Sequence, residues 1–318
     1  MTCHSCKVET VKAGRGRNNV QRWKCQQCGQ RFSEPRQKPF GADVRLPQEK
    51  VCRILHCLVE GNSVRGTARL CDVEKRTVLN MLQLAGQNCE RLLTDKIRNV
   101  KVKDSLELDE VWTYVGCHQR RLTPERVAKG MHGDAYTFIC LERETKLVMA
   151  WHLGKRDRVN TEDFVSKIRW ATANTPFDVS TDAFQPYESA IDAGLYDRAS
   201  HSQVVKLFSH HVEEGRERYS PAKFVSVAKD VVSGNPDLDR AGTSHIERKN
   251  GTLRQWCKRL TRLTYAYSKS WGNLRAALAL HFAHYNLCRI HGSLRITPAM
   301  AAGITDHIWS VRELLEMA

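Results

Sequence analysis

No stretch of this 318-residue chain approaches the ~18 consecutive apolar residues that a membrane-spanning helix requires. The opening residues, Met1-Thr2-Cys3-His4, also lack the apolar core of a secretory signal. The expectation is a cytoplasmic protein with no membrane partner. Internal repeats and low-complexity tracts are missing as well. With 41% hydrophobic and 27% charged residues, wholesale disorder is excluded. Acids are scarce in the first third: residues 1–103 hold 9 Asp+Glu against 21 Lys+Arg, a net of +12.

That imbalance supplies most of the overall charge of +15. A second basic block, residues 243–275, carries eight Lys+Arg and one acid, Glu247, and the remaining C-terminal residues are slightly acidic. Two basic blocks on a near-neutral frame fit a polyanionic partner better than a uniformly solubilised surface, although excess Lys and Arg also occur on plain solvated faces. Four stretches separate by pattern: a cysteine-punctuated stretch 1–40 ending in a proline-rich linker at 35–39, a helical stretch 46–98, an α/β catalytic-type stretch 104–290 whose last part is helical, and a C-terminal tail 291–318.

In a cytoplasmic protein the twelve cysteines are expected to be reduced. Four of them form two Cys-x2-Cys units, Cys3/Cys6 and Cys25/Cys28, 18 residues apart, with Gly29 following the second. A two-residue spacing lets a tight turn aim two thiolates at one ion, and two such turns complete a tetrahedron, which predicts one structural Zn²⁺ in a zinc ribbon. Four thiolates leave no open coordination position, so catalysis is not expected there. The alternative is four unrelated thiols. His4 is not needed as a ligand, and the other eight cysteines read as small buried hydrophobes.

Between 48 and 60, Val51, Ile54, Leu55, Leu58 and Val59 recur at helical spacing, and Gly61-Asn62 stops the run. Ser63 can cap a second helix to about Cys71, and a third begins near Glu74 and buries Val78 and Leu82. Three helices with a short turn before the last make a helix-turn-helix pattern, with Asp72 where such turns usually carry Gly. A plain three-helix bundle is the alternative. As a DNA reader, the third helix would present Lys75, Arg76, Thr77 and Asn80 to base edges or phosphates.

From 106 onward the chain reads as three antiparallel strands (106–115, 136–141, 147–153), a helix (161–173), a strand (177–182), a helix (186–193) and a strand (204–208). This βββαβαβ order is that of the ribonuclease H-like fold, and it sets the middle of the first strand beside the end of the fourth. Asp109 and Asp182 fall at those two places. A carboxylate on a central strand is costly to bury unless a cation or hydrogen bonds compensate it. The third acid is Glu247, which shares one predicted helix face with Arg254, Lys258 and Arg262, beside an apolar face of Ile246, Leu253, Leu260 and Leu263. Alternatives stand beside each assignment: Ser244-x-x-Glu247 is also a capping box, and Glu107, Glu110 or Asp178 would be the ligands if a strand register shifted by a residue or two.

These residues resemble a known family. Asp109-Glu110-Val111-Trp112, Thr181-Asp182-Ala183-Phe184-Gln185-Pro186-Tyr187, and His245-Ile246-Glu247-Arg248-Lys249-Asn250 with Leu253-Arg254-Gln255 look like the DDE transposases of the insertion sequence 1 family. Tyr267-Ser268-Lys269-Ser270 resembles that family's Phe-Ser-Lys-Ser element, and the cysteine knuckles and helix-turn-helix match its end-binding half. The tail, Tyr285-Asn286-x2-Arg289-x-His291-Gly292-Ser293-Leu294-Arg295-x-Thr297-Pro298, is similar to an ending shared by several transposase groups. The family often fuses two reading frames, whereas one continuous chain carries both halves here.

The resemblance implies a transposase that binds the terminal inverted repeats of an insertion sequence and performs Mg-dependent strand cleavage and transfer. Asp109, Asp182 and Glu247 would hold two Mg²⁺ (or Mn²⁺) ions, while Arg248, Lys249, Arg254 and Lys258 would grip phosphates. His245 is a weaker candidate for a phosphate contact, and Arg120, Arg121, Arg216 and Arg218 are candidates for target DNA. The implied partners are double-stranded DNA, both repeat ends and target, and further copies of the chain in a homodimer or larger assembly, in a prokaryotic nucleoid. The rival reading is a zinc-ribbon and helix-turn-helix transcriptional regulator without catalytic activity.

Overall fold

The computed structural model describes residues 1–16, 20–34, 44, 46–209 and 223–317. The expected linker at 35–39 and the target-DNA candidates Arg216 and Arg218 lie outside them. The chain divides into two compact units, Met1–Arg45 and Leu46–Ala318.

In the first unit, β1 (Thr10–Arg15), β2 (Gln21–Cys25) and β3 (Arg31–Ser33) form an antiparallel sheet in sequence order. The two Cys-x2-Cys turns have the same construction. Cys6 N–H donates to Cys3 Sγ and Cys28 N–H to Cys25 Sγ, each at 3.5 Å. Each turn is then closed by a residue with positive φ, Lys7 (59°) in one and Gly29 (73°) in the other.

The second unit begins with α1 (Gln48–Val59), which buries Val51, Ile54, Leu55 and Val59 along one face. Gly61, at φ 77°, turns the chain, and α2 (Val64–Leu70) starts where Ser63 Oγ accepts from Gly66 N–H at 3.0 Å. Asp72 adopts φ 48°, the left-handed conformation a glycine would supply, which short Asp side chains tolerate better than most. The long α3 (Lys75–Lys96) follows and buries Val78 and Leu82. These three helices share a compact unit with the sheet that follows, because the second half of α3 lies along α8 (Trp271–Ala283). Gly86 permits that approach: a Cβ there would stand 2.4 Å from Ala276 Cα. Arg275 and Glu90 pair across the same contact at 2.7 Å.

The larger sheet contains β4 (Ser105–Val115), β5 (Gly133–Glu142), β6 (Val148–Gly154), β7 (Phe177–Thr181), β8 (Ala199–Ser209) and β9 (Lys223–Ser233) in the order β6-β5-β4-β7-β8-β9. The first three form an antiparallel meander, β7 and β8 run parallel to β4, and β9 returns antiparallel to β8. The short α4 (Pro124–Ala128) lies between β4 and β5, with α5 (Arg158–Ala171) before β7 and α6 (Pro186–Leu195) before β8. The expected order of strands and helices is present, and β9 is an addition the sequence reading did not contain. One face, where Phe138 meets Phe164 and Tyr187, is covered by α5 and α6. The other is covered by α7 (Ser244–Trp256), which packs on β4 and β5, and by α8, whose Phe282 meets Trp151 at 5.5 Å. This mixed α/β core is sealed by the last residues, which are more structured than a tail: α9 (Pro298–Ala301) and α10 (Val311–Met317) follow, and α10 packs on α1.

Gly86→Ala is expected to destabilise the second unit by about 1–3 kcal/mol, because backbone and not a flexible side chain must give way. Denaturant unfolding of the purified chain measures it, and an unchanged midpoint would contradict the close α3–α8 contact.

Candidate functional site

β7 pairs with β4 only through Ser105↔Asp178, Leu106↔Val179 and Glu107↔Ser180, and then ends at Thr181. Two residues further along both strands, Asp182 comes level with Asp109. From there β4 has an open edge until Val115, which bridges to Ser268. Asp109 pairs with Ile139 and Glu110 with Phe138 on β5, so the two side chains start on opposite faces, Asp109 toward α7 and Glu110 toward α6. At the open edge both reach Asp182: one carboxylate oxygen from each of Asp109, Glu110 and Asp182 lies within 4.8 Å of the others. That arrangement can hold a divalent cation through hard oxygen ligands.

The electrostatics fit a cation site. Burial, with the charges of Asp182 and Glu247 adding to it, raises the Asp109 pKa to about 6 against hydrogen bonds from Glu110 N–H and Asn250 Nδ2. Those bonds are 2.8 and 2.7 Å long. Glu110, whose side chain is only 4% exposed, is pushed up to about 7, first by burial and then by Asp182. Arg156, at the end of β6, lies 3.5 Å from both Glu110 and Asp182 and stacks 3.9 Å over Phe184. Nothing in the sequence tied Arg156 to this site, because its only signal is a basic cluster in a turn.

Glu247 stands apart from the three. Its carboxylate pairs with Lys206 of β8 and accepts from Thr243 Oγ1 at 2.8 Å. It occupies the same face of α7 as Asn250, which reaches Asp109, and Arg254, which reaches the Trp112 carbonyl at 3.4 Å. The capping box at Ser244 does not form: Thr243 precedes the helix, and Glu107 from β4 accepts Ile246 N–H at 2.8 Å instead. Burial raises the Glu107 pKa to about 7. Asp178 accepts from Asp237 N–H, outside the cluster.

Several expected positions need correction. α7 ends at Trp256, so Lys258 and Arg262 do not continue its face, and Lys258 sits in a separate short turn. Leu263, expected on the apolar face, is fully exposed, whereas Ile246, Leu253 and Leu260 are buried. Lys249 is buried rather than on the surface: it is 4% exposed, with Nζ 3.2 Å from His281 Nε2. Arg248 is exposed on the side of α7 away from the acids. The Tyr267-Ser268-Lys269-Ser270 segment docks on the end of β4, where Gly116 N–H donates to the Ser268 carbonyl at 2.9 Å and Tyr267 packs on Tyr114.

At the start of α3, Lys75, Arg76 and Asn80 are exposed and Thr77 half-buried. Lys75 also borders a cavity of about 770 Å³ shared with Lys258, Arg259 and Lys269. In the first unit the sulfurs of Cys3, Cys6, Cys25 and Cys28 lie within 4.8 Å of one another, with Cys3 and Cys28 3.7 Å apart. Four sulfurs each ~2.3 Å from one ion stand roughly 3.8 Å apart, so the group fits a tetrahedral metal. His4 packs on Phe32 and takes no part. The amide of Cys6 lowers the Cys3 thiol to about 7, while the hydrogen bond with Cys28 and then burial raise the Cys6 thiol.

Fold and site together define a mixed α/β protein with an acidic cluster between the middle of β4 and the end of β7, and a four-cysteine unit before it in sequence. No family model matches the chain, and no curated protein does. Among solved structures it is similar to a piggyBac transposase in a synaptic complex with hairpin DNA, at 9% identity and a TM-score of 0.37, over 89% of this chain and 73% of that one. It is also similar to the Mos1 strand transfer complex, at 13% identity and a TM-score of 0.21, over 53% of this chain and 60% of that one.

A carboxyl whose folded-state pKa is raised loses stability as pH climbs from its ordinary value, 4.5 for Glu110, through about 7. In EDTA, Glu110→Gln is therefore expected to stabilise the protein by about 1–3 kcal/mol at pH 8, with the gain vanishing below pH 4.5. Urea unfolding across that range is the measurement, and a gain independent of pH would contradict the buried-acid account.

Proposed function

We propose that this chain is a DNA transposase that binds the terminal inverted repeats of an insertion sequence and catalyses divalent-metal-dependent strand cleavage and strand transfer. One observation carries the reading: Asp109 and Asp182, far apart in sequence, stand level on adjoining strands, with Glu110 and the Asn250 side of α7 closing around them. The strand order β6-β5-β4-β7-β8, three antiparallel and two parallel, is that expected of a ribonuclease H-like catalytic domain.

In this reading Asp109 and Asp182 hold the metal and Glu110 or Glu247 completes the set. When bound, a pair of Mg²⁺ or Mn²⁺ ions would lower the pKa of an attacking water or 3′-hydroxyl and stabilise the departing 3′ oxygen. The chain's own residues do the rest. Asn250 holds the Asp109 carboxylate in one orientation. Arg156, poised between two acids, and Arg254, beside Asp109, carry the positive charge available to a phosphodiester entering the cluster. Glu247 joins only by releasing Lys206, which then has a free ammonium for the same strand. Lys75, Arg76, Thr77 and Asn80 read the repeat, and a zinc ion on the four cysteines folds the first unit. Joining two element ends calls for a homodimer or a larger assembly.

The test uses the full chain and duplexes carrying the DNA that flanks its reading frame. Asp182→Ala should reduce Mg²⁺-dependent cleavage to background while end binding stays within a few fold. Cleavage retained in that variant sinks the site, and a wild-type chain that binds these ends and never cuts them belongs to the rival regulator. Cys25→Ser should lose one equivalent of zinc and end binding together. Normal zinc content in that variant removes the structural-metal role.

A further inference from the structure

Helix α7 carries polar groups on two opposite sides. At ~100° per residue, Glu247, Asn250 and Arg254 share the side turned to the acids. His245, Arg248, Lys249 and Thr252 fall on the other side and line a cavity of about 500 Å³. Lys146, from the β5–β6 turn, and Arg289 and His291, from the chain after α8, close it. Six basic side chains therefore converge on one cavity, and no carboxylate lines it.

The basic groups lie close together, and Lys146 Nζ is 3.5 Å from His245 Nδ1, a ring nitrogen it can donate to. Lys249 is buried with its ammonium 3.3 Å from the centre of the Tyr285 ring, and no carboxylate among the described residues pairs with it. Burial, and then Lys146, Arg248 and Lys249, lower the pKa of His291. Ser293 Oγ lies 3.0 Å from His291 Nδ1 and adds a hydroxyl. Burying a cation without a counter-charge destabilises a fold, and gathering several in one cavity compounds the cost. An anion would relieve all of it at once.

We infer that this cavity binds a phosphate group, at a site separate from the acidic cluster. The Arg248 and Arg289 guanidiniums match phosphate oxygens in pairs, Lys249 supplies a point charge at the floor, and Ser293 donates from the rim. The ligand is a phosphate oxyanion, either a free phosphate ester or one phosphodiester of a DNA strand. The inference does not depend on the transposase reading, since it rests on the side of α7 facing away from the acids.

The experiment is thermal unfolding of the full chain in EDTA with inorganic pyrophosphate as the probe. The expected result is a Tm that climbs with pyrophosphate concentration in the wild type, a response weakened at least about tenfold in Arg248→Gln and in His291→Ala, and one lost in Lys249→Met. Arg158→Gln, an exposed change on α5, should respond like the wild type. No rise in the wild type, or an equal rise in the wild type and Arg248→Gln, overturns the proposal. Arg248 is exposed, so its variant keeps the test valid even where Lys249→Met fails to fold. DNA anisotropy separates the two sources. Pyrophosphate competition together with weakened DNA binding in Arg248→Gln and His291→Ala assigns the phosphate to a DNA strand, and unchanged DNA binding assigns it to a free phosphate.

Discussion

Strand β4 carries three carboxylates within four residues, Glu107, Asp109 and Glu110, in the centre of a sheet covered on both faces. Desolvation works against every one of these charges, and each must find a donor or a cation to remain. Glu107 finds the amino end of α7, where a backbone N–H is free and the helix dipole favours negative charge. Asp109 finds Asn250 one turn further along the same helix than Glu247. Glu110, on the opposite face, finds Arg156. The docking of α7, the early end of β7 and the position of the β6–α5 turn all follow from satisfying this one strand.

The same need gives α7 its two-sided character. One side answers the negative charge of β4, and the other contributes to a cluster of basic side chains. The helix is held between them by Ile246 and Leu253, both fully buried against the sheet. Its far end is met by the α1–α2 turn, where a Cβ on Gly61 would stand 3.1 Å from the Gln255 carbonyl. The amino-terminal helices and the acidic cluster are thus parts of one packed body. That coupling runs through α3 against α8 and through the tyrosine-rich segment that docks on the end of β4.

Much of this was legible beforehand. The alternation and turn residues of 106–208 mark the meander and the two β-α units, and Ser63 and Glu74 mark helix starts within a residue of where they occur. The two Cys-x2-Cys units announce four thiols that can share an ion, because the spacing itself makes the turn. Less legible were contacts between distant segments. The basic face projected from Glu247 to Arg262 assumed one helix, but the chain leaves helical geometry after Trp256 so that Leu260 can reach the core. Lys249 read as one more surface cation, since composition says nothing about which side of a helix is covered. β9 has a turn signal only at its end, Gly234-Asn235-Pro236, and its partner β8 is what makes it a strand.

The sequence alone determined the local units: four thiols at knuckle spacing, three helices with an Asp standing in for Gly, a meander with acids on its first strand, and a positively charged amino-terminal third. Those properties depend on neighbours a few residues away, and periodicity, capping and turn chemistry report them faithfully. Only the tertiary structure decided which acids meet. Asp109 and Asp182 come together because parallel pairing sets their register, Glu110 joins because β7 stops and leaves an edge open, and Glu247 pairs with Lys206 because β8 runs past the start of α7. Such choices turn on distances across the sheet, where desolvation and charge act through space and not along the chain.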